Sequence, residues 1–116
     1  MERADKLLHV ALKLANDLQH QAAITHIYCL MANLALERGF LRQAERLFTN
    51  VLQRILAEGE AQESNAVVDI SLKLAKIFVA NNDLHKAEQG FKFCTEAMAK
   101  KIRNSGKISI MKASKN

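Results

Sequence analysis

Apolar residues recur along this 116-residue chain at i, i+3, i+4 and i+7, the spacing that lays a single stripe along one side of a helix. From residue 1 to about 16 the stripe is Ala4, Leu7, Leu8, Ala11, Leu12 and Ala15. From about 21 to 38 it is Ile24, Ile27, Tyr28, Met31, Ala32 and Ala35. From 41 to 58 it is Leu41, Ala44, Phe48, Val51 and Ile55. A fourth stripe, over about 62–80, holds Val67, Ile70, Ser71, Leu74, Ala75 and Phe78. A fifth, over about 84–103, holds Leu84, Ala87, Phe91, Cys94 and Met98. The breaks carry turn chemistry. Asn16-Asp17 is followed by a polar run, Gly39 and Gly59 suit the left-handed cap that ends many helices, and Asp83 can cap the helix that follows it. Gly59 to Glu63 is the longest polar linker in the body. No stretch alternates apolar and polar residues between turn signals, as a half-buried strand would. The pattern predicts an all-α chain of five helices. From Asn104 the period dissolves, which predicts a helical domain over 1–103 and a basic, flexible tail over 104–116.

The stripes are copies of one another. Every residue of the second stripe has a counterpart 43 positions on in the fourth, and every residue of the third has one at the same offset in the fifth. The first helix fits the third at an offset of 40, with Ala4, Leu8, Ala11 and Ala15 against Ala44, Phe48, Val51 and Ile55. A repeated helix-turn-helix unit is the signature of a solenoid. Ala32 and Ala44 are small where two helices must approach closely.

The order large, large, small on one helix, then Gly, a hydrophobe, Ala and Phe around the next, resembles the tetratricopeptide repeat. In the first unit the matching residues are Tyr28, Met31, Ala32, Gly39, Leu41, Ala44 and Phe48. In the second they are Leu74, Ala75, Phe78, Asp83, Leu84, Ala87 and Phe91. The repeat here is longer than the usual length of about 34 residues, and it lacks the closing Pro. Asn82 stands where Gly is usual, and Ser71 where a large residue is usual. The resemblance implies a right-handed solenoid of five antiparallel helices, two full repeats behind a leading half repeat.

The segments ITHIYCLMANLALERGFLRQAERLF and NAVVDISLKLAKIFVANNDLHKAEQGFKFC, with ADKLLHVALKLA ahead of them, resemble more narrowly the family of the mitochondrial tetratricopeptide repeat protein 19. That resemblance covers about residues 3 to 102. It implies a domain attached at the inner mitochondrial membrane that associates with subunits of respiratory complex III and aids that complex's biogenesis. This chain departs from the family in three ways. No transit peptide or anchor is read ahead of Ala4, the chain opens on half a repeat, and it closes after the second full unit, where the family is expected to continue with further repeats in place of the tail from Asn104.

Composition narrows the chemistry. There is no Pro to break a helix interior. The net charge of +5 is unevenly placed: Lys100, Lys101, Arg103, Lys107, Lys112 and Lys115 carry no acidic residue among them, which leaves eleven basic and twelve acidic residues in 1–99. Such an end reads either as a solvated terminus or as a patch for anionic lipid or nucleic acid. Cys29 and Cys94 have no CxxC neighbour and read as free thiols of a reducing compartment. His9, His20, His26 and His85 show no i, i+4 pairing and no HExxH, and no GxSxG, Walker loop or GxGxxG is present. The sequence predicts neither catalysis, nor a metal, nor a cofactor. No apolar run is long enough to span a membrane.

What a solenoid offers is binding, on the face lined by the first helix of each repeat. The repeat register points His26, Cys29, Asn33, Leu36 and Glu37 to that face on the second helix, and Asp69, Leu72, Lys76, Val79 and Ala80 on the fourth. The chaperone-binding members of the superfamily clamp a terminal carboxylate with Lys and Asn. Asn33 holds one such position, but Cys29 stands where the Lys belongs, which argues against a clamp. Leu, Val and Ala with few charges suit an apolar helix or an extended peptide, while Cys29, Leu36 and Leu72 have packing against neighbouring helices as their other reading. The predicted function is a non-catalytic protein-interaction module, by resemblance that of complex III assembly. The alternatives are a generic repeat adaptor, or anion binding through the tail. The uncapped ends of the array predict self-association.

Overall fold

The computed structural model describes the backbone of residues 2–114 and the side chains of residues 3–104. It contains five α-helices: α1 (Glu2–Asp17), α2 (Gln21–Glu37), α3 (Leu41–Ala57), α4 (Asn65–Ala80) and α5 (Leu84–Ser114). No strand occurs among the described residues. The chain is all-α and of the helical-repeat type. Two compact units divide it, 1–59 and 60–116.

In the first unit α1 packs on α2, and α2 on α3. Ala15, Ile24 and Ile27 form the buried contact of α1 with α2, with Leu8, Leu12, Tyr28 and Met31 packed around it. On the other side of α2, Ala32 and Ala44 are fully buried, and Phe48 and Val51 fill the seam beyond them. An alanine on each helix lets the backbones close up, and the aromatic residue one turn on occupies the space that opens. The turn between them needs a left-handed residue, and Gly39 supplies it at φ 79°.

A polar cluster closes the far end of this hairpin. The Arg54 Nε–H donates to Thr25 Oγ1 at 3.1 Å, and its Nη2 donates to Gln21 Oε1 at 2.8 Å. The guanidinium lies 5.6 Å from the centroid of the Tyr28 ring. The Thr25 hydroxyl faces the Gln21 carbonyl at 3.1 Å and Glu58 Oε1 at 3.2 Å. Thr25 is buried although the apolar stripe passes it by; its partners supply what water would.

In the second unit α4 packs on α5. Val67, Ile70, Leu74, Ala75 and Ile77 are buried from α4, and Ala87, Cys94 and Ala97 from α5. The α4 helix starts at Asn65, later than the periodicity predicts, because Ser64 caps it: its Oγ accepts from the Val67 N–H at 3.3 Å. Asp83 caps α5 as expected of it, accepting from the Lys86 N–H at 3.4 Å.

The two units differ where the repeat predicts equivalence. Phe48 is 0% exposed, but Phe91 in the same repeat position is 37% exposed, and Met98 lies open where Ile55 is buried. The packing expected of Phe91 passes to Gly90 and Ala97. A Cβ on Gly90 would stand 3.0 Å from the Ala75 Cβ and 3.6 Å from its Cα. With Ser71 in place of Tyr28, Gly90 in place of Leu47 and Ala97 in place of Arg54, small residues line the contact. The buried face of α5 shifts accordingly, and Phe91 moves outward.

The α5 helix runs past Arg103 to Ser114, beyond the point where its apolar period fades. Lys107 and Lys112 lie in the part whose side chains are outside the described residues, as does Lys115. Lys100 and Lys101 are engaged within the second unit: Lys100 Nζ is 3.8 Å from Glu63 Oε1, and Lys101 donates to the Asn65 side-chain oxygen.

Candidate protein-interaction face

The side of α2 away from the α1 and α3 contacts is built by helical arithmetic. His26, Leu30, Asn33 and Glu37 follow one another at i+4, i+3 and i+4 and so share one strip of the helix. His26 and Glu37 are exposed, and Cys29, Asn33 and Leu36 are half-buried along one edge of the strip. Asn33 is tied to its own helix, its Nδ2 donating to the Cys29 carbonyl at 3.0 Å and lying 3.7 Å from the Cys29 sulfur. That tether holds the amide in one orientation. Leu30, which the repeat register does not select, is 44% exposed beside His26. Its signal was present in the i+4 spacing from His26.

The matching face of α4, taken by itself, is more open and more charged. Asp69, Lys76, Val79 and Ala80 are exposed and Leu72 is half-buried. Lys73, which takes Leu30's place, pairs with Asp69 at 3.3 Å. Such an exposed pair contributes a few tenths of a kcal/mol, about 0.3–0.5, and chiefly sets the local charge pattern.

Two of the clefts outside these strips are formed by more than one segment of the chain. In the first unit a cleft of about 190 Å³ opens between α1 and the end of α2, lined by Leu8, Met31, Leu34, Ala35 and Phe40, with Arg38 and Asp5 at its rim. Arg38 Nη1 and Asp5 Oδ2 are 2.7 Å apart, so an ion pair fixes α1 to the α2 terminus. Phe40, in the turn, is exposed. In the second unit a cleft of about 320 Å³ is lined by Glu63, Phe93, Glu96, Lys100 and Arg103 among others. Neither is legible in the sequence: the first is made by residues of α1, α2, the α2–α3 turn and α3, and the second by the linker ahead of α4 together with α5.

The groups with reactive chemistry are dispersed. His20 serves as the N-cap of α2, its Nδ1 accepting from the Ala23 N–H at 3.1 Å. His85 sits 3.2 Å from Gln89 on one turn of α5. Cys94 is buried, and burial pushes its thiol pKa up. Both cysteines are free. Among the described residues no three His, Cys, Asp or Glu converge where they could hold a metal ion. No helix of the described residues is long and apolar enough to cross a membrane. The geometry offers surfaces for contact.

No protein-family model matches the chain. It is similar to the human tetratricopeptide repeat protein 19, mitochondrial, at 43% identity over 93% of this chain and 28% of that protein. The rat protein of the same name is 44% identical over 93% of this chain and 30% of its own length. The Drosophila melanogaster homologue is 41% identical over 85% and 27%. The chain therefore spans well under a third of the curated relatives it matches. Among solved structures it is similar to the crystal structure of BtubC (BKLC) from P. vanneervenii, with a TM-score of 0.70 and 28% identity over 85% of this chain and 39% of that one.

Proposed function

Since the chain is homologous to the mitochondrial tetratricopeptide repeat protein 19 over the stretch the two share, we propose that it is a non-catalytic protein-interaction module acting in the assembly or maintenance of mitochondrial respiratory complex III. The homology is the observation that carries this reading. It extends over nearly the whole chain, and the helical-repeat fold agrees with it. Complex III subunits are the proposed partners, and the inner mitochondrial membrane is the proposed place of action.

Within this reading, the α2 strip of His26, Leu30, Asn33 and Glu37 and the α4 strip of Asp69, Leu72, Lys76 and Val79 are two separate surfaces, each of which takes an apolar helix or an extended peptide. Apolar side chains bordered by fixed polar groups fit such a ligand. Leu36 on the one and Leu72 on the other, each half-buried at its strip's edge, are the anchors.

Affinity purification of the tagged chain from mitochondria tests the proposal. Complex III subunits co-purify with the native chain and are lost, at unchanged helicity, with Leu36→Glu or Leu72→Glu. A chain that recovers no complex III subunit, or whose recovery ignores both substitutions, overturns respectively the partner and the surface.

A further inference from the structure

Two helices carry large apolar residues on an open side. On α1 and the turn residue that follows it these are Leu7, Val10, Leu14 and Leu18, and on α5 they are Leu84, Phe91, Met98 and Ile102. The α5 stripe is the longer. From Leu84 to Ile102 it spans about 27 Å of helix at 1.5 Å per residue, and its members are 37–69% exposed. A stripe of this length with an aromatic residue at its middle behaves like one half of a helix–helix seam.

Its flank says what covers it. Glu88, Lys92, Glu96 and Arg103 run along one side of the stripe in the order negative, positive, negative, positive, and all four are exposed. Reverse that row about a point near Thr95 and it becomes its own complement. Lys92 meets Glu96 of a second copy, Glu88 comes within reach of Arg103 of the second copy, and Phe91 faces its Met98. A two-fold axis requires such self-complementarity. Thr95, at the axis, is also ready for burial: its hydroxyl already donates to the Phe91 carbonyl at 2.8 Å, so covering it leaves no donor without a partner. The α1 stripe lacks this property. A two-fold through its centre sets Lys13 against Lys13.

We propose that α5 is the interface of a homodimer, two copies of this chain packing antiparallel along Leu84, Phe91, Met98 and Ile102 with Thr95 at the axis. The seam uses none of the residues of the α2 and α4 strips, so it stands independently of the partner proposed for them.

Sedimentation equilibrium of the full chain over a range of concentrations, with three sets of variants, tests the dimer. The native chain sediments as a dimer. Met98→Glu weakens it by about 30-fold or more, as loss of a central anchor does, with helicity unchanged. Lys92→Glu alone weakens it, and adding Glu96→Lys restores it, a rescue that a folding defect does not produce. Thr95→Cys, on mild oxidation, yields a covalent dimer whose cross-link maps to the two introduced thiols. A monomer at every concentration overturns the proposal. So does a dimer that Leu14→Glu disrupts and Met98→Glu does not, since the α1 stripe is then the seam. Failure of the charge swap to rescue, or absence of the Thr95→Cys cross-link, overturns the antiparallel register.

Discussion

Single side chains decide more here than their type suggests. Cys29 and Cys94 are both free thiols on helices, yet one is half-buried on the α2 strip and the other lies in the α4–α5 core, its Sγ 3.7 Å from the Val68 carbonyl. Burial raises the Cys94 pKa because the thiolate is poorly solvated there. The folded state thus resists deprotonation that the unfolded chain undergoes freely. By linkage, the contribution of Cys94 to stability is complete below the ordinary thiol range and is lost as pH rises through that range toward the raised value. Denaturant unfolding at increasing alkaline pH should show stability falling there, and Cys94→Ala should remove that part of the fall. Under native conditions a thiol reagent should label Cys29 well before Cys94.

At the level of helices, the lesson is that equal stripes do not make equal packing. The hairpin α2–α3 places Phe48 in its seam, whereas α4–α5 places Gly90 against Ala75. Adding side-chain volume at Gly90 meets a Cβ held on a helix backbone, which cannot swing aside. Gly90→Val should cost about 2–3 kcal/mol by overpacking, measured by urea unfolding. The bulkier residue at the equivalent place in α3, Leu47, can be changed to Val for less than about 1.5 kcal/mol. Polar closure also differs between the units. Arg54 spans Thr25 and Gln21 in the first, while in the second Lys100 and Lys101 reach Glu63 and Asn65. Two of the basic residues that the sequence assigns to an anion-binding end are thus committed to their own unit.

Across the whole molecule, two compact units are joined at a segment rich in exposed residues, from Glu58 through Gln62. Gly59 sits there at φ 98°, and nothing but solvent surrounds the place its Cβ would take. Exposed turns are cleaved ahead of packed helices. A Glu-specific protease should cut first at Glu58 or Glu60 and leave two helical fragments, detected by mass spectrometry. First cuts at Glu45 or Glu88 instead would contradict the division.

Helix number, the turn positions and the repeat were all legible in the chain, because each is a local consequence of periodicity and of the residues that end helices. Ala32, Ala44 and Phe48 could be placed in the core from their spacing alone. The relationship to a known repeat family was legible for the same reason, since the residues that carry it are those that packing constrains. Tertiary structure decided the rest. Whether Phe91 turns inward depends on how closely α4 and α5 approach, and that depends on Ser71, Gly90 and Ala97, residues whose effect is felt only across the contact. Thr25 was hidden for a like reason: its burial is supported by Arg54 and Glu58, about thirty residues away. The two clefts belong to the same class. A helix's own sequence specifies which side is apolar, but the neighbour it meets determines how much of that side is covered.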